Sequence, residues 1–194
     1  MAEAKLIDGK LAAMAEQRGF IAVAPLGFRI SGNWGGNEVF QNQAAANVVP
    51  GEKTRIPDPF ERRVQEMAEK DTLNVTDLVA KEYGVDPKRI YLIGNSAGGA
   101  GTMNFVLRHG HLFKAMAPTA PGGSKPNAKD LQGAIANMPT LLSCFAADVT
   151  VFYAGPASNS CQTWYQEQVK APMRNLTPIT IENGHHSYGP ASLY

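Results

Sequence analysis

The chain holds two cysteines, four histidines and a net charge of only +1 in 194 residues. Each scarcity removes a class of function. Two cysteines cannot build a disulfide framework, and neither Cys144 nor Cys161 sits in a Cys-x-x-Cys pair or beside a histidine, so no metal site is expected. They read as one buried thiol on a strand and one loop thiol. The alternative, a single disulfide, would mark an oxidising compartment. The near-neutral charge, with no stripe of basic and aromatic residues, leaves nucleic acid without an electrostatic footprint. No apolar run is long enough to cross a bilayer, so a membrane partner is not expected either. The first twenty residues lack the basic start and continuous apolar stretch of a secretory leader. They read as an amphipathic helix with Leu6, Leu11, Met14 and Ala15 near one face and Gly19 at its end.

What is present fits one globular domain, residues 1–194, with a core of its own. "FIAVAPLG" (Phe20 to Gly27) is a short apolar run closed by Pro and Gly and is expected to be a buried strand. A long Gly- and Pro-rich segment follows. Glu61 to Tyr83 has helical spacing through Val64, Met67, Asp71, Val75, Leu78, Val79 and Tyr83. Asp71 falls on the apolar face, where a hydrogen bond to a neighbouring loop is expected. Gly84 stops the helix, with Pro87 beyond it. "RIYLIG" is the next strand and Ala97 to His109 the next helix. "FKAMAPTA", "MPTLLSCFAAD" and "TPITIEN" complete a series of strands alternating with helices. That alternation predicts an α/β domain with a mostly parallel sheet, and sites at the carboxyl ends of its strands.

Gly94-Asn95-Ser96-Ala97-Gly98 fits G-x-S-x-G at such a strand end. A nucleophilic serine there needs a tight strand-to-helix turn, small residues two positions away, and the N–H groups of the following helix. The backbone N–H of Ala97 then helps to hold an oxyanion. With 19 glycines, chance supplies about 0.08 such matches in this chain. The rival reading is a serine that merely caps the helix.

A serine nucleophile needs a base, and the base an orienting acid, in the chain order Ser, acid, His. Of the downstream acids Asp130, Asp148, Glu167 and Glu182, only Asp148 follows an apolar strand closely, in "PTLLSCFAADVTV", whereas Asp130 reads as surface. His109 and His111 end the helix after the serine, where a histidine favours the helix dipole. His185 and His186 follow the fifth strand, where the base belongs. Counting from the strand end favours His186, and His185 is the alternative base.

The stretch from "EKDTLNVTDLVAKEYG" through "IYLIGNSAGGAGT" to "FKAMAPTAPGG", with "RGFIAVAPLGFR" and "PTLLSCFAADVTV", resembles the carboxylesterases related to polyhydroxybutyrate depolymerases and feruloyl or acetylxylan esterases. The resemblance implies an α/β-hydrolase fold and ester hydrolysis through an acyl-enzyme, without a cofactor, with Ser96 as nucleophile, Asp148 as acid and His186 as base. It also implies an opening strand and a His-Gly loop supplying a second oxyanion donor, and no histidine precedes His109 here. The chain therefore reads as N-terminally shortened, with an exposed sheet edge through which self-association is expected. Small acyl or aryl esters are the expected substrates. Phe28, Trp34, Phe40, Trp164 and Tyr165 are available as pocket walls or as core. The rival from another class is a binding protein that keeps the fold but has an incomplete oxyanion hole.

Overall fold

Short apolar runs bounded by turn residues become four parallel strands. The computed structural model describes residues 10–25, 59–121, 128–146, 161, 170 and 172–182. Within them lie β1 (Tyr91–Asn95), β2 (Ala115–Thr119), β3 (Thr140–Phe145) and β4 (Leu176–Ile181). The strands pair in the order β1-β2-β3-β4, every pair parallel. Helices α1 (Lys10–Arg18), α2 (Pro59–Glu82), α3 (Ala97–His109) and α4 (Ala128–Ala134) accompany them. This is the α/β architecture that the alternation of elements predicts.

A strand order that advances one step at a time has a topological consequence. Right-handed crossovers between such strands all land on one side of the sheet. Helix α3 packs on β1 and β2, and α4 packs on α3. The core is built there, where Met103, Phe105 and Val106 of α3 join Met116, Leu142, Leu131 and Ile135. On the opposite face Tyr91, Ile93 and Leu141 are 59%, 62% and 40% exposed. A shallow groove among them also runs over Ala115, Ala117 and Thr177, and its lining has no carboxylate, histidine or serine. It lies along the strands rather than at their carboxyl ends, so its chemistry is that of an apolar surface.

Helix α2 forms where its spacing predicts, but its buried stripe is turned by one residue. Val64, Gln65, Ala68 and Thr72 are buried, whereas Met67 and Leu78 are exposed. Asp71 is exposed too, so the expectation that it sits on the apolar face is corrected. Two of the buried positions are polar, which hides the stripe from a hydrophobicity pattern. The Thr72 hydroxyl donates to the Ala68 carbonyl at 2.9 Å, satisfying itself inside the helix. The face is fixed by a tie to α3. The Glu69 carboxylate accepts from Arg108 Nε at 2.9 Å and Nη2 at 2.6 Å, and His109 Nε2 lies 2.5 Å from Glu69 Oε1. His109 thus has a structural partner at the last turn of α3.

At the N-terminal end, α1 closes at Gly19, whose φ of +67° is the left-handed conformation expected of a terminating glycine. Beyond it the expectation of a buried strand fails for the described residues. Phe20 to Pro25 carries no strand pairing, and Phe20, Ile21 and Val23 are 42%, 51% and 45% exposed. Apolar alternation makes a strand only where a neighbouring strand supplies ladder partners.

Glu69→Ala is expected to destabilise the fold by about 1–2 kcal/mol, because it removes a bidentate, charge-assisted pair between two helices. Urea unfolding measures this. An unchanged midpoint would mean that the tie contributes nothing beyond a solvent-exposed ion pair.

Candidate active site

The site is set by how β1 turns into α3. Ser96 is the single residue between them, with φ +58° and ψ −120°. A non-glycine residue there is strained, at a cost on the order of 1–3 kcal/mol, and persists only where its surroundings hold it. Three backbone contacts do so. Ser96 N–H donates to the Thr119 carbonyl at 3.0 Å, which extends the β1–β2 ladder past the end of β1. Ala100 N–H donates to the Ser96 carbonyl at 3.0 Å, which starts the helix at once. The third contact is the close approach of α3 to the strand at Gly94. A Cβ on Gly94 would overlap the Gly98 carbonyl and come within 2.8 Å of Thr102 Cγ2.

The Ser96 hydroxyl makes no capping hydrogen bond to α3, so the rival reading of a helix-capping serine is not what the geometry gives. The backbone N–H of Ala97 opens a 13-residue helix, and the first N–H groups of any helix have no acceptor within it. An anion placed against Ser96 would meet these donors and the positive end of the helix dipole.

The glycines divide the work differently from the sequence expectation. Gly98, the last residue of the motif, has open space where a Cβ would stand. Its neighbour Gly99, which the sequence reading passes over, does not. A Cβ there would lie 2.6 Å from the Thr119 carbonyl oxygen and 3.0 Å from Pro121 Cα. Gly99 is what lets α3 lie directly on the end of β2. The signal for it was the doubled glycine in "SAGGAG".

The same ladder continues across the carboxyl ends of the other strands. Ala120 N–H donates to the Ser143 carbonyl at 2.8 Å, and Ala146 N–H donates to the Ile181 carbonyl at 3.1 Å. Ala120 has φ +40° and is fully buried, a second strained residue beside the elbow. Asp148 follows Ala146 by two residues, and His185 and His186 follow Ile181 by four and five. All three lie outside the described residues, as do the aromatic residues expected to wall a pocket. Asp130 is exposed on α4, as expected of a surface residue, and His111 is exposed as well.

The cysteines correct the thiol expectation. Cys144 and Cys161 are joined in a disulfide, with their Cα atoms 5.6 Å apart. They are 0% and 4% exposed. Seventeen positions separate them in sequence, so spacing alone gave no sign that they meet. Among the described residues no cluster of His, Cys, Asp or Glu is suited to a metal ion.

Residues 59–123, which carry α2, β1, Ser96, α3 and β2, match the model of the prolyl oligopeptidase family. No curated protein matches the chain. Among solved structures, the chain is similar to an S-formylglutathione hydrolase from Agrobacterium tumefaciens. The two are 21% identical with a TM-score of 0.51, over 70% of this chain and 56% of that one. It is also similar to a thermostable esterase, at 23% identity and a TM-score of 0.45 over 58% of this chain and 28% of that one. A post-proline cleaving enzyme from Rickettsia typhi is 16% identical with a TM-score of 0.46, over 69% of this chain and 24% of that one. The chain thus spans between 24% and 56% of the length of these structures. The first likeness fits the sheet and helices described above, and the fold is that of the α/β-hydrolases.

Gly99→Ala and Gly98→Ala separate the two glycine roles. Gly99→Ala is expected to cost about 1–3 kcal/mol, since backbone must move to admit the methyl group. Gly98→Ala is expected to be neutral or stabilising by up to about 1 kcal/mol, as for alanine in a helix. Chemical denaturation of the pair reads the difference, and equal midpoints would contradict the packing described.

Proposed function

We propose that the chain is a serine carboxylesterase that hydrolyses small acyl or aryl esters through an acyl-enzyme on Ser96. The observation that carries this reading is the conformation of Ser96: a strained residue between strand and helix whose hydroxyl does not cap the helix. In the proposed mechanism His186, oriented by Asp148, takes the Ser96 proton as Oγ attacks the ester carbonyl. The Ala97 N–H stabilises the oxyanion. His186 then protonates the departing alcohol, and water activated by the same base releases the acid. His185 is the alternative base. No step needs a metal or cofactor. Nothing on the described residues selects a feruloyl, acetyl-sugar or polyester substrate, and membership of that narrower esterase group rests on the sequence resemblance alone.

A second reading is favoured by one finding. The match of residues 59–123 to the prolyl oligopeptidase family supports amide hydrolysis by the same serine. Esters and peptides place the same demands on the nucleophile and differ in the leaving group, so substrates discriminate where the fold does not.

The test is hydrolysis of p-nitrophenyl acetate and butyrate, beside an Xaa-Pro p-nitroanilide, by the wild type and Ser96→Ala. Ester turnover that falls by about 10³–10⁴ or more in the variant is expected. Turnover of the anilide with little ester hydrolysis would move the assignment to a peptidase. A folded wild type that hydrolyses neither and does not react with a fluorophosphonate would leave the binding-protein reading.

We also propose that copies pair through β1, which among the described residues is joined only to β2 and presents Tyr91 and Ile93 to solvent. Strands at the edge of a sheet can recruit other strands. Sedimentation velocity is expected to show a dimer or larger species, and a monomer throughout the micromolar range would refute the pairing.

A further inference from the structure

Among the described residues three non-glycine residues have a positive φ: Ser96, Ala120 and Asn175. Asparagine tolerates this conformation, and the Asn175 side-chain amide donates to the Ile135 carbonyl at 3.3 Å. Ala120 has no such compensation. It is fully buried at φ +40°, in a region of backbone space that glycine enters without a steric penalty. What an alanine adds there is restriction, because its Cβ forbids most of the conformations that a glycine would sample. Restriction comes from both sides of this position. The sequence is Pro118-Thr119-Ala120-Pro121, and both prolines are buried. Each proline fixes its own φ. Pro121 also disfavours the right-handed helical region for the residue before it.

The peptide unit between Thr119 and Ala120 is what these residues hold. Its carbonyl accepts from Ser96 N–H at 3.0 Å, and its N–H donates to the Ser143 carbonyl at 2.8 Å. One planar unit therefore ties the turn at Ser96 to β3. The same carbonyl oxygen faces Gly99, where a Cβ would lie 2.6 Å from it and 3.0 Å from Pro121 Cα. Rotation of this unit would release Ser96 N–H and unseat the first turn of α3 together. We propose that Ala120 is a positioning residue for the nucleophile: its restricted, positive-φ backbone holds the Thr119 carbonyl against Ser96 N–H and so fixes where the Ser96 hydroxyl stands. This rests on the assignment of Ser96 as nucleophile made above. Ala120 is buried and acts through Ser96, not on the substrate. Its effect therefore falls on the attack step, where misplacement by about 1 Å costs on the order of 10²-fold in rate.

The experiment measures the reaction of Ser96 with a fluorophosphonate, in which Oγ bonds to phosphorus as fluoride leaves and the serine proton passes to the base. Its concentration dependence gives the limiting rate and the half-saturating concentration separately, and no later hydrolysis step intrudes. Ala120→Gly removes the restriction while leaving the native conformation accessible. Its midpoint in urea is expected to equal or exceed that of the wild type, because an alanine at positive φ carries strain that glycine does not. The limiting rate, counted per serine that labels at completion, is nevertheless expected to fall about 10-fold, with the half-saturating concentration changed less than about twofold. A residue with a merely structural role would leave that rate unchanged once its strain is relieved. Pro121→Ala loosens the same peptide unit from the other side and is expected to lower the limiting rate about three- to tenfold. It decides the question if Ala120→Gly does not fold. Second-order hydrolysis of p-nitrophenyl acetate, read as kcat/KM, is expected to fall in parallel. A limiting rate within about twofold of wild type in folded Ala120→Gly overturns the proposal. So does a fall accounted for entirely by fewer labelled serines. Wild type that labels at Ser96, beside a glycine variant that keeps its rate, defeats the positioning role alone. A folded wild type that does not label defeats the nucleophile and the positioning role with it.

Discussion

Direct backbone packing between α3 and the ends of β1 and β2 is the contact on which the rest of this molecule depends. It is made possible by two absent side chains, at Gly94 and Gly99. With a Cβ at either position the helix would stand off from the sheet, and the turn at Ser96 would open. Held in, the helix starts one residue beyond the end of the strand, and Ser96 between them is left with a strained conformation. The strain is maintained by the ladder bond to Thr119 and by the cooperative start of α3. A serine with this backbone is exactingly placed because it has nowhere else to relax, which is the property that a nucleophile needs and a capping serine does not.

The parts of this arrangement that were legible in the sequence are those that depend on local pattern. β1, α3 and β2 to β4 follow from short apolar runs, glycine punctuation and a 13-residue helical stretch, and the structure places them within a few residues of expectation. The parts that were not legible depend on what lies across space. The buried face of α2 is set by Glu69 meeting Arg108 and His109, some forty positions away, so a pattern of hydrophobicity picked Asp71 for a face that Thr72 occupies. Phe20 to Pro25 has the composition of a strand but no ladder partner among the described residues. Cys144 and Cys161 are bridged across seventeen positions, and nothing in their spacing encodes that. The need for Gly99 rather than Gly98 is likewise a contact with β2, not a property of the motif.

The order of the strands constrains any triad built on this sheet. Ser96 follows β1, and in the proposed triad Asp148 follows β3 and the histidines follow β4. Neighbouring strands lie about 4.8 Å apart, so these starting points are roughly 10 Å and 14 Å from the serine's strand. The chain lengths are graded accordingly: Asp148 comes three residues after β3 ends, and His185 and His186 come four and five after β4 ends. At about 3.3–3.6 Å per extended residue, four residues at most match the lateral distance, whereas five exceed it by about 2–4 Å. Under the proposed triad the base has only to reach the hydroxyl with its imidazole, which five residues of lead allow more easily than four, the reason for proposing His186 ahead of His185.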